Sequence, residues 1–383
     1  MMVNECARRY MRRFLKLWWV AVLAASMITI YGAWNIVNMG VQPEVIRITE
    51  RMKTVCVGRL LVDLPAEAEV ELIRPRIDGF DINSFQESEA EFQSRLAERE
   101  LQLNAIPDRL NGNKNLEAVK EIRTEAGLAG KIFVHGHTVT EGTRAKGLEI
   151  ERYRYESINV EGLVHSDGIS FDIVGANFSR RYIGDLSKLI AQLMPNTANR
   201  IPIAPGFCID RAFIREPLLA SQREEVVMAA RLPSYPDIEF LLIVAAGVEP
   251  AEQGLLGRNR DANGLMSTVE MNHVSTIRAA SRDIDGITGD ELVQRFTEDN
   301  SATVYGFWWE VAGTRDNVFV PHISFTMDTG KGQHGPVPSS LSEPAALVLW
   351  DKVSSSIRVR PTVGANATAA QVRLNPVGAR LPD

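Results

Sequence analysis

The residue types that most often carry chemistry occur in this sequence without the spacing that catalysis requires. His135 and His137 lie two positions apart in a strand-like segment, so both rings would project from one face and can bind a metal, but a third ligand is not evident. Glu156 and Glu310 are carboxylates of the kind used in acid–base catalysis, but they occupy equivalent positions in two separate domains. Nucleophile elbows, P-loops, H-E-x-x-H and paired C-x-x-C motifs do not occur. We therefore predict that the chain is not an enzyme and uses no cofactor, metal or small-molecule substrate.

Two other segments favour binding over catalysis. Residues 328–340 (DTGKGQHGPVPSS) are polar and rich in Gly and Pro, which is typical of recognition loops and also of connectors. The residues of this loop that we predict to contact a partner are Asp328, Lys331, Gln333 and His334. The run Phe307-Trp308-Trp309 can form a platform for a sugar or a lipid, but alternate side chains of a strand face opposite sides, so one tryptophan is expected in the core.

The N-terminal sequence predicts the cellular compartment in which these segments lie. Residues 17–43 contain no charged side chain, and the residues before them include Arg8, Arg9, Arg12, Arg13 and Lys16. About 20 apolar residues span the ~30 Å hydrocarbon layer, and flanking basic residues stay in the cytoplasm. The expected arrangement is a cytoplasmic segment 1–16 and a transmembrane anchor 17–37, so that the chain crosses the inner membrane once with its bulk in the periplasm. A cleaved signal peptide is the alternative, and it leads to the same compartment.

Composition limits the partners. The chain has 42 basic and 48 acidic residues, and residues 1–16 hold five basic residues and one acidic, which leaves a net charge of −10 on the rest. An acidic periplasmic portion argues against nucleic acid as a partner and suits a basic protein surface. With 45% hydrophobic residues, the chain is long enough to form two packed cores.

The three cysteines allow at most one disulfide. Cys6 precedes the expected anchor and should stay reduced, whereas Cys56 and Cys208 both lie in the oxidising compartment. A Cys56–Cys208 bridge would close a long loop, and the alternative is two separate buried thiols.

The chain past the anchor repeats itself at an offset of 152 to 154 residues. The matching segments are Cys56–Arg59 with Cys208–Arg211, Arg152–Glu156 with Gly306–Glu310, and Ile169–Phe171 with Ile323–Phe325. Amphipathic helices are expected after each copy, around 185–194 and 344–354. The fold class predicted is α+β: a transmembrane helix followed by two related α+β domains at 50–195 and 206–361, with a linker at 196–205 and a flexible tail at 362–383.

Within these domains the sequence predicts further helices. Ser84 can cap a long helix over 85–103, with Glu87 at the capping-box position. Helices are also expected over about 265–278 and over 290–296.

The run CVGRLLVDLP at residues 56–65 resembles the opening of the N-terminal domain of immunity proteins against type VI secretion lipase effectors. The start Gly206-Phe207-Cys208 and the strands FWWE and ISFTM are similar to their C-terminal domain, so the resemblance covers about residues 50–360. It implies a two-domain protein without enzymatic activity that binds a cognate phospholipase effector and blocks its active site. The alternative function is a membrane-anchored module that binds envelope components and neutralises no toxin.

Overall fold

The chain folds into a predominantly β structure. The computed structural model describes residues 43–107, 114–216, 223–315 and 317–363. Strands make up 51% and helices 19% of the structure, so the predicted α+β class is wrong. The segment predicted as a helix over 290–296 lies in a strand. The one predicted over 265–278 is divided between a short helix, Thr268–Met271, and a strand that begins at Val274, because pairing with neighbouring strands of a sheet overrides the local helix signals.

The predicted transmembrane helix, residues 17–37, and the predicted cytoplasmic segment 1–16 lie outside the described residues. None of the helices in the described ranges is long and apolar enough to cross a membrane. The predicted tail, 362–383, is described only as far as Val363.

The helices lie between longer runs of strands. They are α1 (Pro43–Ile48), α2 (Glu89–Ala105), α3 (Ile183–Gln192), α4 (Leu255–Leu265), α5 (Thr268–Met271) and α6 (Glu343–Ser354). The strands of the first half are β1 (Met52–Val57), β2 (Leu60–Pro65), β3 (Glu69–Ile77), β4 (Phe80–Gln86), β5 (Leu116–Arg123), β6 (Ala129–Lys146), β7 (Glu149–Ser166), β8 (Ile169–Phe178) and β9 (Leu193–Pro195). Those of the second half are β10 (Gly206–Ile209), β11 (Ala212–Arg215), β12 (Glu224–Leu232), β13 (Tyr235–Ala246), β14 (Val274–Ile284), β15 (Ile287–Thr297), β16 (Thr303–Val311), β17 (His322–Asp328) and β18 (Arg358–Val359).

One antiparallel sheet of 12 strands runs through both halves in the order β14-β15-β16-β17-β13-β12-β3-β4-β8-β7-β6-β5. The halves meet where β3 pairs with β12. Counted outward from this pair, the first half gives β3-β4-β8-β7-β6-β5 and the second gives β12-β13-β17-β16-β15-β14, which is the same order within each repeat. The matched sequence segments therefore occupy equivalent strands, since residues 152–156 lie in β7 and 306–310 in β16.

The two halves also exchange strands. The β1–β2 hairpin of the first half takes its third strand, β18, from the end of the second half. The β10–β11 hairpin takes β9 from the end of the first half. Each half thus supplies one strand to a small sheet of the other half. Unfolding of one half would therefore disrupt both small sheets.

A buried ion group lies between the halves. The Arg59 guanidinium, after β1, donates through Nε and Nη2 to both carboxylate oxygens of Glu224 in β12, at 2.9 and 2.8 Å. Its Nη1 donates to Glu216 at 2.8 Å, and its Cζ lies 4.9 Å from the centre of the Phe319 ring. The Glu224 side chain is only 1% exposed, so Arg59 supplies the positive charge that this buried carboxylate needs.

The main core lies on the face of the sheet covered by α3 and α6. Trp350 of α6 is fully buried against Phe307 and Phe325, with ring centres 5.5 and 5.1 Å away. The opposite face of the first half carries α2, which packs Phe92 and Leu96 into a smaller apolar cluster.

Helix α2 begins later than predicted. Ser88 is the N-cap, and its side chain forms a capping box with Glu91. Ser84 and Glu87 lie instead in and just after β4, because residues 81–86 pair with β8.

Candidate functional site

The predicted partner-binding loop begins at the end of β17 and is held against β13. Lys331 Nζ lies 2.6 Å from Glu239 Oε2 and 3.3 Å from Asp328 Oδ2, and the hydrogen bond from Lys331 lowers the pKa of Glu239. The buried carboxylate of Asp237 accepts hydrogen bonds from the backbone N–H groups of Gly330 and Ser340, at 3.0 Å each.

This attachment fixes both ends of the loop and leaves Gln333 and His334 exposed at its outer turn. Contact of these residues with a partner stays a prediction.

The two histidines that were predicted to share one face of a strand, His135 and His137, contact different carboxylates. A bulge at Gly136 shifts the pairing of β6 with β7 between His135 and Thr138. His135 Nε2 lies 2.7 Å from Glu161 Oε1, whereas His137 Nδ1 lies 3.1 Å from Glu117 Oε1. Among the described residues, no group of three or more His, Cys, Asp or Glu is placed to hold a metal ion.

The remaining candidate residues occupy structural positions. Glu310 pairs with Arg258 at 2.6 Å and Glu156 with Arg154 at 3.0 Å, so each carboxylate has its own cation in its own half. In β16, Phe307 and Trp309 are fully buried, while Trp308 faces the other side of the sheet, with its ring edge-on to Phe296. A flat three-ring platform is therefore not formed.

Cys56 and Cys208 are joined by a disulfide. Both are buried, together with Leu61 and Phe213, where β1 of the first half approaches β10 of the second. The bridge thus links equivalent positions of the two repeats, 152 residues apart in sequence.

A serine, a histidine and a carboxylate meet beneath α2, but their geometry is not that of a nucleophile. His165 Nδ1 lies 3.0 Å from Ser170 Oγ, and Ser170 donates its hydroxyl proton to Glu87. In a catalytic triad the histidine accepts the proton of the serine, whereas here Ser170 donates it to Glu87, although His165 Nε2 also lies 3.5 Å from Glu89 Oε2. Ser170 is also fully buried, so no substrate can reach it. Glu87 binds Arg95 of α2 at 2.9 Å, which indicates that this group holds the helix on the sheet.

A second polar group under α2 is centred on Glu161. Arg99 Nε and Nη2 donate to its two oxygens at 2.9 and 2.5 Å, and His135 contacts it from β6. Burial opposes ionisation of this carboxyl, but the hydrogen bonds from His135 and Arg99 outweigh it and lower the pKa of Glu161 to about 2.

Glu161→Gln should therefore lower the free energy of unfolding at neutral pH by roughly 2 kcal/mol, as expected for lost hydrogen bonds to a charged group. Because the folded pKa of Glu161, about 2, lies below the unfolded value of 4.5, its stabilisation is complete above pH 4.5 and is lost as the pH falls towards 2. Urea unfolding across this pH range measures the effect. The matched control is Glu141→Gln, whose carboxylate pairs with Arg154 in solvent and should cost at most about 0.5 kcal/mol. Equal losses in the two variants would contradict the assignment.

A two-stranded ribbon extends beyond the sheet and is formed by residues 138–157, which we call the arm. Strand β5 pairs with β6 only up to His135, and β8 pairs with β7 only from Ile158 onward. Between these limits β6 and β7 pair solely with each other, from Thr138 with Ser157 to Lys146 with Glu149. At 3.3 Å per residue the arm extends roughly 25 Å beyond the sheet.

The arm ends in a two-residue turn, Gly147-Leu148. Gly147 has φ +66° at the first turn position, which suits a tight hairpin in which glycine is favoured. Leu148 is fully exposed, and Ile150 beside it is 78% exposed. The sequence signal for the arm is the alternation of charged and uncharged residues on both sides of Lys-Gly-Leu-Glu, at residues 146–149.

Comparison with known proteins places the chain in a family. The model described as "Tle cognate immunity protein 4 N-terminal domain" matches residues 53–171, and the corresponding C-terminal domain model matches residues 200–362. No curated protein sequence matches the chain.

Solved structures share its fold. The immunity protein TplEi of the type VI secretion system (T6SS) from Pseudomonas aeruginosa, complexed with "L" peptide, has 21% identity and a TM-score of 0.64, and the match covers 81% of this chain and 99% of that chain. A chain in the crystal structure of the Tle4–Tli4 complex has 22% identity and a TM-score of 0.66, and the match covers 82% of this chain and 98% of that chain. Both domain models match in chain order and together span most of the sequence, so the chain belongs to the Tle cognate immunity protein 4 family.

Proposed function

We propose that this chain binds a phospholipase effector of a type VI secretion system and blocks its activity, which protects the producing cell from its own toxin. The observation that carries the proposal is the match of both immunity-domain models, in order, to residues 53–171 and 200–362. The relative in the Tle4–Tli4 complex supports it, because its match spans nearly the whole of that chain. A stable inhibitory complex of this kind needs an interface of about 1,600 Å² in total.

We also propose that the chain inhibits the effector by binding alone and catalyses no reaction of its own. The buried Ser170 and the structural use of Glu87, His165 and Glu161 support this, because these polar groups hold α2 on the sheet. The test is to mix the full chain with a type VI lipase effector encoded in the same genome and to measure complex formation by size-exclusion chromatography. Separate elution of two folded proteins would refute the proposal.

We further propose that the chain is held at the inner membrane with residues 50–361 in the periplasm. The support is the sequence alone: the uncharged stretch 17–43 and the basic residues that precede it. In this position the chain would meet the effector beside the lipid that the effector attacks.

Deleting residues 1–40 should leave cells sensitive to an effector directed to the periplasm, because the truncated chain stays in the cytoplasm. Colony counts after induction of the effector measure survival. As a control, a cleavable signal peptide in place of residues 1–40 should restore the compartment and at least part of the protection. Full protection by the cytoplasmic chain would contradict the proposed location.

A further inference from the structure

The arm is an addition that the repeated fold does not need. Its strands β6 and β7 have 18 residues each, whereas the equivalent strands of the second half, β15 and β16, have 11 and 9. No residue of 138–157 is buried, so the arm contributes nothing to either core. A two-stranded ribbon without a covering layer is marginally stable in water. Since the second half folds without such an extension, the arm has a use other than folding.

The side chains of the arm are those that dominate protein–protein contacts. Tyr153 and Tyr155 stack with ring centres 5.2 Å apart on one face, and Tyr, Trp and Arg are the residues most enriched in interface hot spots. The arm carries four basic residues, which are Arg144, Lys146, Arg152 and Arg154, against four acidic ones. It is therefore neutral on an otherwise acidic protein. A neutral arm with aromatic and arginine side chains suits contact with a protein surface better than with nucleic acid or anionic lipid.

Cross-strand contacts order the arm before any partner arrives. Arg154 Nη1 donates to Glu141 Oε1 at 2.5 Å, and Arg144 Nη2 donates to Glu151 at 3.0 Å. The ring of Tyr153 lies over Gly142, where a Cβ would stand only 2.5 Å from the tyrosine hydroxyl. An ordered ribbon loses less conformational entropy on binding than a free loop does.

The tip of the arm is apolar. Leu148 and Ile150 project into solvent, and no described residue covers them. A lipase must admit the acyl chains of its substrate, so the entrance to its active site is an apolar cleft. Two aliphatic side chains at the end of a narrow ribbon match such a cleft in both chemistry and shape.

We propose that the arm is the effector-binding element and that Leu148 and Ile150 enter the acyl-chain cleft of the lipase and exclude its substrate. This inference rests on the proposed function and adds the surface that performs it. The charged and tyrosine side chains of the stalk contact the rim of the cleft, while the tip fills it.

The test compares the double variant L148D/I150D with L265D. Leu265, at the end of α4 in the second half, is 89% exposed, so the control places an aspartate at an equally accessible leucine outside the arm. All three side chains are exposed, and both variants should keep the unfolding midpoint of the wild-type chain. With the full chain and a type VI lipase effector encoded in the same genome, L148D/I150D should raise the Kd roughly 100-fold, as loss of two hot-spot side chains does. L265D should leave the Kd within about a factor of two.

A second measurement asks whether the tip occupies the cleft. A short-chain diether phospholipid, which a lipase binds but cannot hydrolyse, should compete with the wild-type chain and raise its apparent Kd as the lipase becomes saturated. Absence of competition, or wild-type affinity in L148D/I150D, would overturn the inference. So would a concentration-dependent dimer of the wild-type chain that L148D/I150D abolishes, since the tip would then bind a second copy. If the wild-type chain itself fails to bind the lipase, the proposed function fails, which is a different result.

Discussion

Replacing both Cys56 and Cys208 by alanine is expected to lower the free energy of unfolding by up to about 5 kcal/mol. The disulfide closes a loop of 152 residues and so restricts the unfolded chain strongly. It also joins the two halves where β1 approaches β10, next to the strands that the halves exchange. Urea unfolding of the wild-type and variant chains under oxidising conditions measures the difference.

Reducing agent provides the internal control for this prediction. It should destabilise the wild-type chain by a similar amount and leave the C56A/C208A variant unchanged, because only the wild type has a bridge to lose. A wild-type chain whose stability does not respond to complete reduction would show that the bridge contributes nothing.

Replacing Arg59 by alanine is expected to cost about 3–5 kcal/mol, because it leaves the carboxylate of Glu224 buried without a counter-charge. Burial already raises the pKa of Glu224 even with Arg59 beside it. A buried carboxyl group destabilises the folded state less when it is protonated than when it is charged. The loss of unfolding free energy in R59A should therefore be largest at neutral pH and should shrink as the pH falls. The same urea experiment at several pH values measures this trend.

Two variants distinguish this effect from a general loss of surface charge. Arg76 pairs with Asp81 in solvent, and R76A should cost less than about 1 kcal/mol. The double variant R59M/E224Q removes both buried charges and should be more stable than R59A alone. If R59A and R76A destabilise equally, the buried pair has no special role.

Short sequence matches predicted that the chain contains a repeat. The structure shows the same repeat, because the strands of the two halves follow the same order in the sheet. Cys56–Arg59 and Cys208–Arg211 begin the two copies, and each leads into a small hairpin followed by the same order of strands. This could be found because residues that build equivalent strands face similar surroundings in both copies. Helices α3 and α6 were also visible in the sequence, since their apolar stripes pack on the sheet.

The balance of helix and strand was predicted wrongly for a physical reason. Helices were predicted over 265–278 and 290–296, the second from a possible N-cap at Asp290, but strands β14 and β15 include residues 274–278 and 290–296 and pair along nearly their full lengths. Pairing with neighbours in the sheet overrides local propensity, and a single sequence does not reveal those neighbours. The strand exchange escaped prediction as well, because β9 and β18 have only three and two residues.

The candidate site was harder to predict than the fold. The loop that begins at Asp328 was chosen for its polar composition, whereas the arm reads as two ordinary strands in the sequence. Only the structure shows that β6 and β7 extend past their neighbours and expose Leu148. Exposure of an apolar side chain depends on which strands end early, and that is a property of the whole sheet.

Titration of a type VI lipase effector encoded in the same genome with the full chain tests the central claim most directly. If the chain is its inhibitor, hydrolysis of phospholipid should fall in proportion to the chain added and vanish near one equivalent, because a tight one-to-one complex forms. Undiminished hydrolysis at about a tenfold excess of folded chain would contradict the account.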